Sequence, residues 1–166
     1  MPTSIPERIL GVLLDIEGTT TPISFVHDVL FSYARSHVRK YLTDRWDAAE
    51  TQADIRMLCE DHKGDVENGL QPAPIVNAPI GKLDSIVLYI SWLIVRDRKA
   101  TGLKSLQGKV WKQGYADGTP KSILYPDVEP VLKRWFHAGL SISIFSSGSS
   151  FAQQLLFAHT KAGDLT

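Results

Sequence analysis

Ile9-Leu10-Gly11-Val12-Leu13-Leu14-Asp15-Ile16, running on into Glu17-Gly18-Thr19-Thr20-Thr21-Pro22, is the stretch that decides how this chain folds. The run from Ile9 to Ile16 is almost continuously apolar, the pattern of a parallel strand with helices on both faces. A carboxylate closing such a strand is costly to desolvate unless a partner compensates, and a bound cation would do so. Asp15 and Glu17 lie two apart, so an extended backbone points both the same way, while Gly18 lets the chain turn sharply after them. Two oxygen donors beside a phosphate suit magnesium, which keeps several waters and takes few protein ligands. Thr19, Thr20 and Thr21 add hydroxyls and N–H groups that can face a phosphate. A bare D-x-E is also consistent with a strand end and a turn, with Asp15 as a cap.

Working outward, Leu140 to Phe145 (LSISIF) reads as a second parallel strand, followed at once by Ser146-Ser147-Gly148-Ser149-Ser150. Between Pro126 and Gly139, Val128, Val131, Leu132, Trp135 and Phe136 share one helical face. Asp127 is placed as its N-cap, Pro130 falls in the first turn, and Gly139 marks the stop. A helix feeding straight into a parallel strand is half of a crossover unit. Beyond it, Ser150 and Gln153 fit a capping box, with Phe151, Leu155, Leu156 and Ala158 as an apolar face. Hydroxyls, a glycine and the N–H groups opening a helix form an anion site, although SSGSS alone also fits an ordinary N-cap cluster.

The middle, from about Ser24 to Ile123, contains no convincing strand. Val26, Val29, Leu30, Tyr33 and His37 mark one amphipathic helix, and Leu83, Val87, Ile90 and Ile94 another, ending near Arg96, Arg98 and Lys99. Asp47 to Cys59 reads as a third, weaker one, and Asp61 to Pro79 as a loop. The fold class is therefore α/β: a partial Rossmann-like parallel core of residues 1–23 and 124–166, with a helical cap of residues 24–123 inserted after the first strand.

Composition narrows the function. Of 166 residues, 43% are hydrophobic and 22% charged, enough for a real core. Lys plus Arg and Asp plus Glu both number 18, so no bulk field draws nucleic acid or an anionic membrane, and an anionic substrate must be held by local groups. Cys59 is the only cysteine, which excludes an internal disulfide and fits a reducing compartment. The start, MPTSIPERIL, is broken by proline and lacks a signal-peptide pattern, and the Ile86–Val95 stretch is too short to span a bilayer, so a cytoplasmic setting is expected.

The full string D-I-E-G-T-T-T-P after an apolar strand resembles the signature of the haloacid-dehalogenase-like phosphatases, whose common form is D-x-D-G-T. Glu in place of the second Asp, with T-T-x-P and S-F-V following, is similar to the enolase–phosphatase (acireductone synthase) family in particular. So are FVHDVLFSYA, DRKATGLKSLQGKVW and SSGSSFAQQLLFAHT, in the same order. This resemblance implies a magnesium-dependent enzyme of methionine salvage. It would enolise 2,3-diketo-5-methylthiopentyl 1-phosphate and then dephosphorylate the enol through an aspartyl-phosphate. Asp15 would be nucleophile and metal ligand. Glu17 would be the second ligand, through its carbonyl, with its side chain placed for proton transfer. Ser146 and Ser147 would bind the substrate phosphate, and the cap would set substrate choice.

The resemblance also implies a lysine and a further acidic residue beyond Thr166. The chain is thus expected to be C-terminally incomplete, weakly active and marginally stable, and a monomer when full length. Another small-molecule phosphatase on the same scaffold, or a non-catalytic fragment, are the alternatives. The five histidines show no metal-ligand spacing, Asp117-Gly118-Thr119 reads as a turn, and Cys59, Trp92, Trp111 and Trp135 read as structural. Lys82, Arg98, Lys99 and Lys104 read as a solvated helix face.

Overall fold

The structure is a computed structural model, and it describes residues 9–166. The reading of the first eight residues, both as part of the core and as lacking a signal peptide, lies outside the described residues. The chain divides into two compact units, Met1–His27 with Lys121–Thr166, and Asp28–Pro120.

The first unit is built on two parallel strands, β1 (Gly11–Leu14) and β2 (Ser141–Ile144), with Gly11 opposite Ser141 and Leu14 opposite Ile144. Ser141 N–H donates to the Leu10 carbonyl at 3.0 Å and Phe145 N–H to that of Leu14 at 2.8 Å, so the ladder runs slightly past both ends. A side chain at position 11 would put its Cβ 3.0 Å from the Ser141 carbonyl, which is why glycine stands there. β1 is shorter than the apolar run Ile9–Ile16 because the chain turns at Asp15, where Ile16 stops pairing and becomes the hub of a loop. The expectation that both faces of β1 are covered is corrected. Leu13 is 67% exposed and Leu10 83%, and burial alternates along both strands. Among the described residues the sheet has these two strands only.

A helix, Val128–His137, leads into β2. Its N-cap is Asp127, as expected, but the side chain makes no capping bond. Its end follows the expected chemistry closely. Gly139 sits at φ +78°, its N–H donates to the Phe136 carbonyl at 3.0 Å, and Leu140 N–H donates to Trp135 at 3.1 Å. The helix after β2, Ser150–Ala158, is capped one residue earlier than expected. Ser149 accepts from Ala152 N–H at 3.2 Å, and Gln153 Nε2 donates to the Gly148 carbonyl at 3.0 Å.

The second unit is helical. A wide π-type segment, Phe25–Phe31, which begins in the first unit, runs into α1 (Ser32–Asp44). It is followed by α2 (Ala49–Glu67), α3 (Lys82–Val95) and α4 (Thr101–Ala116). The helices completing the first unit are α5 (Val128–His137) and α6 (Ser150–Ala158). Val38, Leu42, Ile55, Leu58, Ile86, Tyr89, Leu93 and Leu106 form one buried cluster. Helix α4 lies so close to α2 that a Cβ on Gly102 would come within 2.7 Å of the Leu58 backbone nitrogen.

The loop expected over Asp61–Pro79 is corrected, since α2 continues to Glu67. Tertiary partners override the weak local propensity there. Asp61 accepts the Gly102 N–H at 2.9 Å, His62 meets the Ala73 carbonyl at 3.1 Å, and buried Asp65 accepts from Tyr89 Oη at 2.8 Å and from Arg98. Arg98 is therefore an ion-pair partner of Asp65, while its own side chain stays exposed. Burial, and then the Asp65 carboxylate, push the Tyr89 phenol far above its ordinary value. Asp54, also buried, accepts from Ser105 at 2.7 Å and Lys109 at 2.6 Å. No helix among the described residues is long and apolar enough to cross a membrane.

Candidate active site

The candidate residues of the first unit stand where β1 and β2 end together. Asp15 immediately follows β1, and its own Oδ1 accepts the Ile16 N–H at 2.8 Å. The chain then winds about one atom, the Ile16 carbonyl oxygen, which takes N–H bonds from Thr19 at 3.2 Å, Thr20 at 3.0 Å and Thr21 at 3.0 Å. Gly18, at φ +81°, makes that turn possible, and its N–H closes the loop on the Thr21 carbonyl at 2.8 Å. Tyr125 N–H donates to the Thr20 carbonyl at 3.0 Å, tying the loop to the segment that precedes α5.

This winding corrects two sequence readings. The N–H groups of Thr19, Thr20 and Thr21 are spent on Ile16 and do not face outward, and Thr20 and Thr21 are buried. The hydroxyl of Thr21 has no hydrogen-bond partner among the described residues. Thr20 and Thr21 build the loop from within, while Thr19 is exposed. Asp15, in turn, is exposed, so the cost of desolvating it is not what calls for a cation.

Ser146 lies two residues past β2, in step with the turn after β1. Its Oγ donates toward both carboxylate oxygens of Glu17, at 3.2 and 3.1 Å, and accepts the Gly148 N–H at 3.1 Å. Glu17 and Ser146 are 129 residues apart in sequence. Nothing in the local pattern signalled that they touch; only their shared position at two strand ends could have suggested it. Ser147 beside them is exposed, and the nine-residue helix α6 begins just beyond. The N–H of Gly148, the glycine expected in the anion site, donates to the Ser146 oxygen.

The donor chemistry fits a hard divalent cation. Asp15 offers a carboxylate with one oxygen beyond the Ile16 bond. The Glu17 carbonyl is in none of the loop's backbone bonds among the described residues. Two such oxygens, completed by water and a phosphate oxygen, are a donor set of the magnesium kind. Among the described residues no group of three or more His, Cys, Asp or Glu side chains is gathered for a metal.

A two-stranded parallel core flanked by helices, with an acidic turn and a serine at adjacent strand ends, places the chain among haloacid-dehalogenase-like α/β proteins. The crystal structure of the UTR4 protein of Saccharomyces cerevisiae superposes on it with a TM-score of 0.68 at 29% identity, covering 95% of this chain and 61% of that one. Among sequences, it is 49% identical over 162 residues to enolase-phosphatase E1 of Synechococcus elongatus, covering 98% of this chain. Against enolase-phosphatase E1 of Xenopus tropicalis it is 40% identical over 166 residues. The chain belongs to the enolase-phosphatase E1 family. It spans 66% of the length of the first relative and 64% of the second. No family model matches it.

Proposed function

We propose that this chain carries the phosphoryl-transfer site of a magnesium-dependent enolase-phosphatase acting on a small diketo phosphate, 2,3-diketo-5-methylthiopentyl 1-phosphate, in methionine salvage. The observation that carries the reading is the meeting of Glu17 and Ser146 beyond the ends of two adjacent parallel strands, with Asp15 at the end of the first. Ligands of open α/β sheets bind at the carboxyl ends of the strands.

Phosphoryl transfer needs an in-line nucleophile, neutralised equatorial oxygens and a protonated leaving group. Asp15, exposed and held by Ile16 N–H on one oxygen only, attacks phosphorus with the other. This forms an aspartyl-phosphate and splits one hard step into two. The Asp15 carboxylate and the Glu17 carbonyl would hold magnesium, which would supply the positive charge that offsets carboxylate–phosphate repulsion and the charge developed on enolisation. Ser146 and Ser147 hold phosphate oxygens. Glu17 protonates the leaving oxygen and then takes a proton from the water that hydrolyses the acyl phosphate.

Residues 1–23 and 124–166 carry this chemistry, while residues 24–123 select the substrate. A cytoplasmic setting fits the lone, partly buried Cys59.

Phosphate release from the diketo phosphate, measured with magnesium, with EDTA in its place and with Asp15→Asn, tests the reading. Release that needs magnesium and falls at least about a thousandfold in the folded variant is expected. Equal release by parent and variant would overturn the nucleophile assignment.

A further inference from the structure

We infer that Ser146 couples capture of the phosphate to release of the Glu17 carboxylate, so that the acid–base group is freed only when a phosphoryl group is in place. The inference rests on the function proposed above and adds a dependence between two of its residues.

A serine hydroxyl has one proton to give. Here that proton faces Glu17, nearly equidistant from its two oxygens at 3.2 and 3.1 Å, while a lone pair of the same oxygen takes Gly148 N–H at 3.1 Å. The Gly148 bond orients the oxygen, leaving its O–H as the group that chooses an acceptor. A phosphate oxygen bound by Ser146 competes for that proton with the carboxylate, and one O–H cannot serve both at full strength. The competition is sharpened by charge, because a phosphate and an ionised carboxylate drawn to one hydroxyl repel each other.

The backbone leaves Glu17 room to respond. Its side chain is only partly buried and is held by the Ser146 hydroxyl, whereas the loop beneath it is fixed by three N–H bonds to Ile16. Phosphate capture therefore trades the Ser146–Glu17 bond for a Ser146–phosphate bond, and the Glu17 carboxylate turns away from Ser146 as a base able to take a proton. Ser146 acts on Glu17 as a positioning residue, in addition to touching the phosphate.

Inorganic phosphate is the probe, titrated calorimetrically without metal into the parent, Glu17→Gln, Ser146→Ala and the double variant. Circular dichroism checks each fold. If the two groups compete for one proton, Glu17→Gln tightens phosphate binding at least about fivefold in the parent, the low end of coupling between linked sites. In the Ser146→Ala background the same change has less than about a twofold effect, within ordinary additivity. Ser146→Thr, which keeps the hydroxyl, restores the coupling.

An equal gain from Glu17→Gln in both backgrounds would reduce the effect to bulk electrostatics and overturn the inference, as would failure of the parent to bind phosphate. A crystal structure with phosphate gives the direct view. Glu17 lying beyond hydrogen-bond distance of Ser146 supports the exchange, and an intact Ser146–Glu17 contact beside bound phosphate refutes it. Coupled binding in a chain that releases nothing from the diketo phosphate would refute the proposed function alone.

Discussion

Gly18 shows how much rests on one backbone torsion. Its φ of +81° is what lets the chain wind about the Ile16 carbonyl, and a Cβ there would also come within 3.2 Å of Ile23. Gly18→Ala is expected to cost about 1–2 kcal/mol of stability from the left-handed backbone, read by urea denaturation. An unchanged midpoint would mean the turn is not held as described. Residue by residue, the sequence showed the acidic pair, the glycine turn and the serine pair, because each has a local signature at a strand end. It did not show that Thr20 and Thr21 are structural, or that Ser146 meets Glu17. The threonine N–H groups are claimed by a carbonyl three to five residues back, and a contact across 129 residues leaves no trace in local spacing.

At the scale of elements, the crossing of α4 on α2 separates two glycines that look alike in sequence. Gly102 meets Leu58 backbone at 2.7 Å from a would-be Cβ, while Gly64 on α2 has nothing within 4 Å. Gly102→Ala is expected to destabilise by about 1–3 kcal/mol through overpacking. Gly64→Ala should stabilise by about 0.5–1 kcal/mol through a stiffer unfolded chain and better helix propensity. Paired urea curves moving in the same direction would contradict this packing.

The buried link from α2 to α3 carries a pH dependence of definite sign. Tyr89, buried and bonded to Asp65, keeps its proton in the folded chain well beyond the ordinary tyrosine range. The unfolded chain releases that proton near pH 10, so folding stability from this group is whole below about pH 10 and falls as pH rises above it. Tyr89→Phe should flatten the fall between about pH 10 and 11 relative to the parent, and an identical slope would dismiss Tyr89 as its source. The amphipathic periods of α1 and α3 were legible from their apolar spacing, whereas the second half of α2 was not. That half is polar, and it is held by Asp61 and Asp65 reaching partners on other elements.

For the whole molecule, the order strand, helical insert, helix, strand, helix could be read from the sequence. Each step switches between an unbroken apolar run and a helical stripe. The continuous run at β1 also predicted a strand covered on both sides, and in this chain Leu10 and Leu13 stand exposed. A strand's composition records what it is meant to be buried against, not what covers it in a given chain. What unites sheet, loop and site is one claim, that Asp15 at the end of β1 takes the phosphoryl group. Covalent trapping tests it most directly. The chain is incubated with magnesium and the diketo phosphate, quenched in acid, reduced with borohydride to convert an acyl phosphate to an alcohol, and mapped by peptide mass spectrometry. The account predicts the reduced residue at Asp15 and nowhere else. Reduction at Glu17, or phosphate release with no reduced residue in the chain, would contradict it.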